Sequence, residues 1–296
     1  VEKIREIEQK TDATVVFASP AALRGGDHGY ALTRSDADLA WLARSFVKNA
    51  EVAGARALYL SEGPTDDVLR LDLPHPRHPG AVIVVEAAPV LAPGETFRPE
   101  VYVRALEAAV DAALRDGFSG AHVFVEGAWS LSDVRGVEVW WELEEMVHEL
   151  GVLQRGDTVL LCQFGQDRFE PEALERAERA HPLSVAASST GFPASAAMRV
   201  HRDADVLHVS GELDRGTATL LATACRGSVG TVTIDLAEAT FFDAGAYRAV
   251  TKIAKSCKQV RLRNAPSIVQ RVVFALSGEA GLEIEVEDDA VSMRAG

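Results

Sequence analysis

The chain has 296 residues, room for two domains at the usual roughly 100 to 200 residues each. Its 25% charged and 47% hydrophobic residues form an ordinary globular balance, and no run approaches the ~20 apolar residues of a membrane-spanning helix. The net charge of -14 is uneven, with 18 Lys+Arg against 31 Asp+Glu over residues 1–190 and 12 against 13 over 191–296; with no basic stripe, zinc finger or helix-turn-helix spacing, this argues against direct DNA binding and a membrane role.

The opening VEKIREIEQK is charged at helical spacing and lacks the apolar core of a secretory signal, so a cytoplasmic location is expected. Four β-rich runs follow, ARALYLSE (55–62), GAVIVVEAA (80–88), AHVFVEG (121–127) and DTVLLCQFG (157–165). Between them lie three segments with apolar residues at spacings of three and four: SDADLAWLARSFVKNAEVAG, RPEVYVRALEAAVDAALRDG and VRGVEVWWELEEMVHELG. Runs apolar on both faces, alternating with helices, predict an α/β fold with a mainly parallel sheet covered on both sides. Ser35 or Asp36 can cap the first helix, and Gly54, Gly117 and Gly151 stand where helices should stop.

Composition shifts at SVAASSTGFPASAAM (184–198), small and uncharged, which reads as a linker; the expected boundaries are a first domain over 1–186, a linker over 187–196 and a second domain over 197–296. MRVHRDADVLHVSGELD predicts two strands, followed by a helix around TATLLATAC, the strand GTVTIDLAEAT and the helix of GAYRAVTKIAKSC. KQVRLRN, APSIVQRVVFALSG and LEIEVED complete a small α/β domain as strand, helix and strand. Cys162, Cys225 and Cys257 show no CxxC spacing, so neither a disulfide framework nor a zinc site is expected. His75 and His78 in HPRHP lack a third ligand and read as a solvated loop; ERAERAH (175–181) reads as a charged helix face.

In its order and wording the second half resembles a STAS domain, the module of sulfate transporters and anti-sigma factor antagonists, through VSGELD (209–214), TIDLAEATFFD (233–243), the helix after it, and VRLRNAPSIVQRVV (260–273). The resemblance implies a docking turn that in bacterial antagonists reads Asp-Ser-Ser-Gly and is switched off by phosphorylation of a Ser, which adds about -1.5 to -2 charges at a helix N-terminus. Here that turn is Asp243-Ala244-Gly245-Ala246, without a hydroxyl. The candidate partner contacts are Asp243, Ala244, Gly245, Tyr247 and Arg248, the partner an anti-sigma factor or related regulator, and phosphate control at the turn is not expected. Asp243 can equally serve as a helix cap.

DHGYALTRSDADLAWLARSFVKNAEVAGARALYLSE and the downstream LLCQFGQDRFEPEALERAERAHPLSV resemble the MEDS family, a sensory domain of methanogens and methylotrophs. His28 and Tyr30 match its opening; Cys162, Phe164, Phe169, His181 and Pro182 match its close, with Phe164 and Gly165 where the family usually has Tyr and Asp. The resemblance implies a RecA/KaiC-like sheet without a phosphate loop and a small organic ligand. The residues agree on the loop: after ARALYLSE the chain reads GPTDDVLRLD, with adjacent Asp66 and Asp67 and no Lys to hold phosphates.

A pocket is expected at the C-terminal strand ends of such a sheet. The candidate ligand contacts are His28, Tyr30, Glu126, Trp129, Glu142, Cys162 and Gln163, Glu62 and Glu86 lying at the same ends. Trp140 and Trp141 read as helix packing, and Cys162 as core rather than nucleophile. His28 reads equally as a core group or a ligand contact. The expected function is a non-enzymatic signalling regulator without cofactor or metal; the alternatives are an enzyme using Cys162, Glu126 or His28 or a nucleotide-binding protein built on the N-terminal domain, and an architectural protein-interaction module. Homo-oligomerisation is left open.

Overall fold

A computed structural model of the chain describes residues 16–65, 71–74, 78–94, 96–147, 151–187, 197–226, 228, 230–276 and 284–287. Contacts divide the chain into two compact units, one of Ala18–Ala197 and one whose C-terminal segment begins at Met198. Most of the expected linker, residues 188–196, and His75 of the HPRHP loop lie outside the described residues; His78 is exposed.

The short strand β1 (Val16–Ala18) ends where the N-terminal unit begins, and its Ala18 carbonyl accepts the Ala186 N–H at 2.9 Å. The strands of that unit are β2 (His28–Thr33), β3 (Arg56–Ser61), β4 (Val82–Glu86), β5 (Ala121–Glu126), β6 (Thr158–Gly165) and β7 (Leu183–Val185). They are ordered β7-β2-β6-β5-β3-β4, and every neighbouring pair is parallel. All eight residues of β6 are buried, as a central strand covered on both faces requires.

Helix Asp36–Ala53 begins where Ser35 accepts the Asp38 N–H at 3.2 Å, with Asp36 and Asp38 in its first turn complementing the helix dipole. It ends at Gly54, whose left-handed φ of 69° closes the last turn. Its Phe46 packs edge-on to Phe124 of β5, covering one face of the sheet. The opposite face takes helix Pro99–Arg115 through Tyr102, Leu106, Val110 and Ala113. The same face takes the segment after Gly136, which the sequence pattern predicts as one long helix. Among the described residues it begins with a 3-10 turn at Val137–Val139 and continues as a helix at Trp140–Met146, and Gly151–Gln154 is helical as well.

In the C-terminal unit β8 (Met198–Asp203) and β9 (Val206–Leu213) form an antiparallel hairpin. β10 (Thr231–Phe242), β11 (Gln259–Arg263) and β12 (Ile284–Glu287) extend it in parallel, in the order β8-β9-β10-β11-β12. Helices Ala218–Ala224, Ala244–Ala254 and Ser267–Leu276 follow β9, β10 and β11 in turn. No helix among the described residues is long and apolar enough to cross a membrane.

Candidate functional site

β2 and β6 pair in a register that sets His28 beside Leu160 and Tyr30 beside Cys162. Because strand side chains alternate, His28, Tyr30 and Cys162 share one face, the face covered by helix Trp140–Met146. Trp140, Leu143 and Val147, three and four residues apart, form the buried stripe of that segment; Glu144 falls on the same stripe and is wholly buried. His181 follows helix Pro171–Ala180 and packs against His28, ring centroids 4.2 Å apart. Glu144 Oε2 thus lies 3.1 Å from His28 Nε2 and 3.3 Å from His181 Nε2, and accepts from the Cys162 thiol at 3.5 Å. Trp129, on the turn after β5, packs edge-on against Trp140 beside this cluster, centroids 5.6 Å apart. Gly127 lets the start of that turn lie against β6, since a Cβ there would stand 2.7 Å from the Phe164 ring and 2.9 Å from the Gln163 carbonyl.

The electrostatics are severe. Burial opposes the charge on Glu144, yet hydrogen bonds and charge from His181 and His28 prevail and hold its carboxyl well below the usual range. A buried carboxylate costs several kcal/mol unless compensated, so the cluster must contain a proton shared with an imidazole or another cation. Burial, and secondly the Glu144 charge, push the Cys162 thiol and the Tyr102 phenol well up; without a cation Cys162 is a thiol, not a nucleophile. Tyr30 is pushed up to about 12, again chiefly by burial.

The expected ligand contacts are divided by the pleat. Tyr59 and Phe124 stack, and Glu126 and Gln163, adjacent in register, stand on the face opposite Cys162. Glu126 accepts from the Tyr59 hydroxyl and from the Glu62 N–H at 2.8 Å, and Gln163 donates to Thr33 Oγ1 at 2.7 Å. Arg168 clasps Glu62 with bonds of 2.6 and 3.0 Å. Glu126 and Gln163 thereby tie the C-terminal strand ends together, on the face opposite His28 and Cys162. A cleft of about 690 Å³ opens at the other end of β3, lined by Arg56, His78 and Asp116 among others. Glu142 requires correction: the helix turns it outward and exposes it, while Glu144, two residues on, points in.

Two members of the buried cluster, Glu144 and His181, are absent from the expected ligand set. The signal for Glu144 was an acidic residue in register with Trp140, Leu143 and Val147. For His181 it was the burial spacing of Ala177 and Ala180 in a helix that otherwise reads as solvated.

In the C-terminal unit Asp243 is the N-cap of helix Ala244–Ala254, accepting the Ala246 N–H at 2.8 Å. Gly245 admits the backbone of the turn after β9, since a Cβ there would lie 2.5 Å from Arg215 Cβ and 2.7 Å from its Cα. Ala244 and Arg248 are exposed, and Phe241, absent from the expected set, is 49% exposed beside them in sequence. Tyr247 is a second correction: at 6% exposure it belongs to the core under the helix, not to the docking face.

Residues 27–182 match the MEDS family, the methanogen/methylotroph, DcmR sensory domain. The chain belongs to the MEDS family. Residues 195–285 match the STAS domain, so a MEDS domain is followed by a STAS domain, a combination of signalling modules. No curated protein matches the chain. His28 and His181 stand near the two ends of the matched MEDS segment, and the parallel sheet brings both to Glu144.

Proposed function

We propose that this MEDS–STAS protein is a non-enzymatic signalling regulator in which the MEDS domain receives the input and the STAS domain delivers it to an anti-sigma factor or related regulator. The observation that carries this reading is the STAS turn itself. Asp243 caps the helix and leaves Ala244 and Arg248 on its exposed side, while no residue from Phe241 to Arg248 has a side-chain hydroxyl except the buried Tyr247. The helix that this reading takes as the docking element thus lacks a Ser or Thr acceptor at its turn, which supports an input received by the MEDS domain. Control of transcription through a sigma factor, and location in the cytoplasm, follow from this reading. The full burial of Cys162, out of reach of a substrate in solution, supports a non-catalytic MEDS domain.

Affinity capture from native extract with the full chain tests it. The expected result is a sigma-regulatory protein that is retained by the unaltered chain and lost with Arg248→Glu, and no phosphopeptide covering residues 240–251. Identical captures from both chains, or phosphate on Thr240 or Thr251, would overturn it.

A further inference from the structure

We propose that His28, Glu144, Cys162 and His181 form a four-coordinate site for a divalent transition metal, with Zn²⁺ the fitting ion. This inference stands independently of what the STAS domain binds. One ligating atom from each of the four lies within 4.8 Å of all the others, and all four residues are buried. A tetrahedral ion about 2.0–2.1 Å from nitrogen and oxygen and about 2.3 Å from sulfur sets its ligands roughly 3.3–3.6 Å apart. The distances from Glu144 Oε2 to His28, His181 and Cys162 are 3.1, 3.3 and 3.5 Å, close to three edges of such a tetrahedron, and the remaining donor pairs lie within 4.8 Å, a gap that small side-chain rotations around an ion would close.

The hydrogen bonding points the same way. His181 Nδ1 is 2.7 Å from the Ala177 carbonyl, and because a carbonyl only accepts, Nδ1 carries the proton. In the neutral ring Nε2 then presents a lone pair to the Glu144 carboxylate 3.3 Å away, and two acceptors face each other unless a proton or a metal lies between them. An imidazole whose far N–H is held by a backbone carbonyl is the usual outer-sphere arrangement of a metal-binding histidine. Glu144 Oε1 has no donor at bonding distance.

The donor set selects the ion. Two imidazoles, a thiolate and a carboxylate suit Zn²⁺, whereas Ca²⁺ and Mg²⁺ require a shell of oxygens. On binding, the Cys162 thiol gives its proton to solvent and its sulfur coordinates the ion. The metal then ties β2 and β6 to helix Trp140–Met146 and to the residue that closes helix Pro171–Ala180.

The test uses the full chain, dialysed against chelator and reloaded with Zn²⁺ or Co²⁺. The expected result is one tightly held metal per chain. Its Co²⁺ form should show the intense d–d bands of a tetrahedral site and a thiolate-to-cobalt charge-transfer band. Cys162→Ala, a small apolar replacement suited to the core, should abolish the charge-transfer band while circular dichroism shows the fold retained. Glu144→Gln should weaken Zn²⁺ retention. Cys225→Ser should leave the band intact, which separates this site from the other thiols. Failure of the unaltered chain to retain either ion overturns the proposal and leaves a proton-linked cluster; a charge-transfer band that survives Cys162→Ala overturns it by placing the metal elsewhere.

Discussion

Glu144 and His28 are 116 residues apart in sequence, and in the folded MEDS domain their side chains meet at 3.1 Å with neither exposed to solvent. Such a contact has a large energetic consequence, because each partner would be costly to bury alone. Glu144→Leu removes the charge that the two imidazoles face and should destabilise the MEDS domain by about 3 kcal/mol, whereas Glu142→Leu at the exposed neighbouring position should change it by less than about 0.5 kcal/mol. Urea unfolding of the full chain, followed by tryptophan fluorescence, measures both; equal effects at 142 and 144 would show that the carboxylate is not held as described.

His122 gives the fold a pH dependence of its own. Burial lowers its pKa to about 4 from an ordinary 6.5, against a small opposing pull from Asp27. The unfolded chain therefore binds more protons between these values, so this contribution is complete above about pH 6.5 and is lost as the pH falls towards 4. From about pH 8 to about pH 5 it amounts to roughly 2 kcal/mol. Phe46 packs beside the imidazole, centroids 5.9 Å apart, so His122→Leu is tolerated sterically and should flatten the acid-side loss measured by urea midpoints in that range.

Gly245 is set by contact, since a Cβ would collide with the Arg215 backbone. Gly245→Ala should destabilise the STAS domain by roughly 1–3 kcal/mol, the usual cost of overpacking, and the thermal midpoint of that domain should fall. An unchanged melting curve would mean that the turn after β9 gives way freely.

Asp243 offers a separation of capping from recognition. Asp243→Ala loses the bond to the Ala246 N–H and should cost about 1 kcal/mol, while Asp243→Asn retains an acceptor and should cost much less. If the residue only caps, Asp243→Asn binds the captured regulator as the unaltered chain does; if its charge is read by the partner, affinity falls at unchanged stability. Tyr247→Ala cannot make this distinction, because it excavates the core and should cost about 3 kcal/mol or more.

Much of the framework is local and was legible in the chain. Arg56–Ser61, Ala121–Glu126 and Thr158–Gly165 form strands inside the apolar runs 55–62, 121–127 and 157–165. Ser35 and Gly54 cap the first helix where their hydrogen-bonding and left-handed preferences place them. Residues 134–151 were less legible, because Gly136 adopts a left-handed φ of 79° and interrupts a pattern whose apolar spacing alone reads as continuous helix.

The sequence by itself determined the alternation of strands and helices, the division into sensory and STAS domains, and the hydroxyl-free turn at Asp243. These depend on short-range periodicity, capping and residue identity. Only the tertiary structure decided that Glu144 rather than Glu142 faces inward, that Glu126 and Gln163 stand across the sheet from Cys162, and that His28 and His181 converge on one carboxylate oxygen. Those relations rest on strand register and helix rotation, where a single step along a strand reverses the face and two residues along a helix turn a side chain from solvent to core.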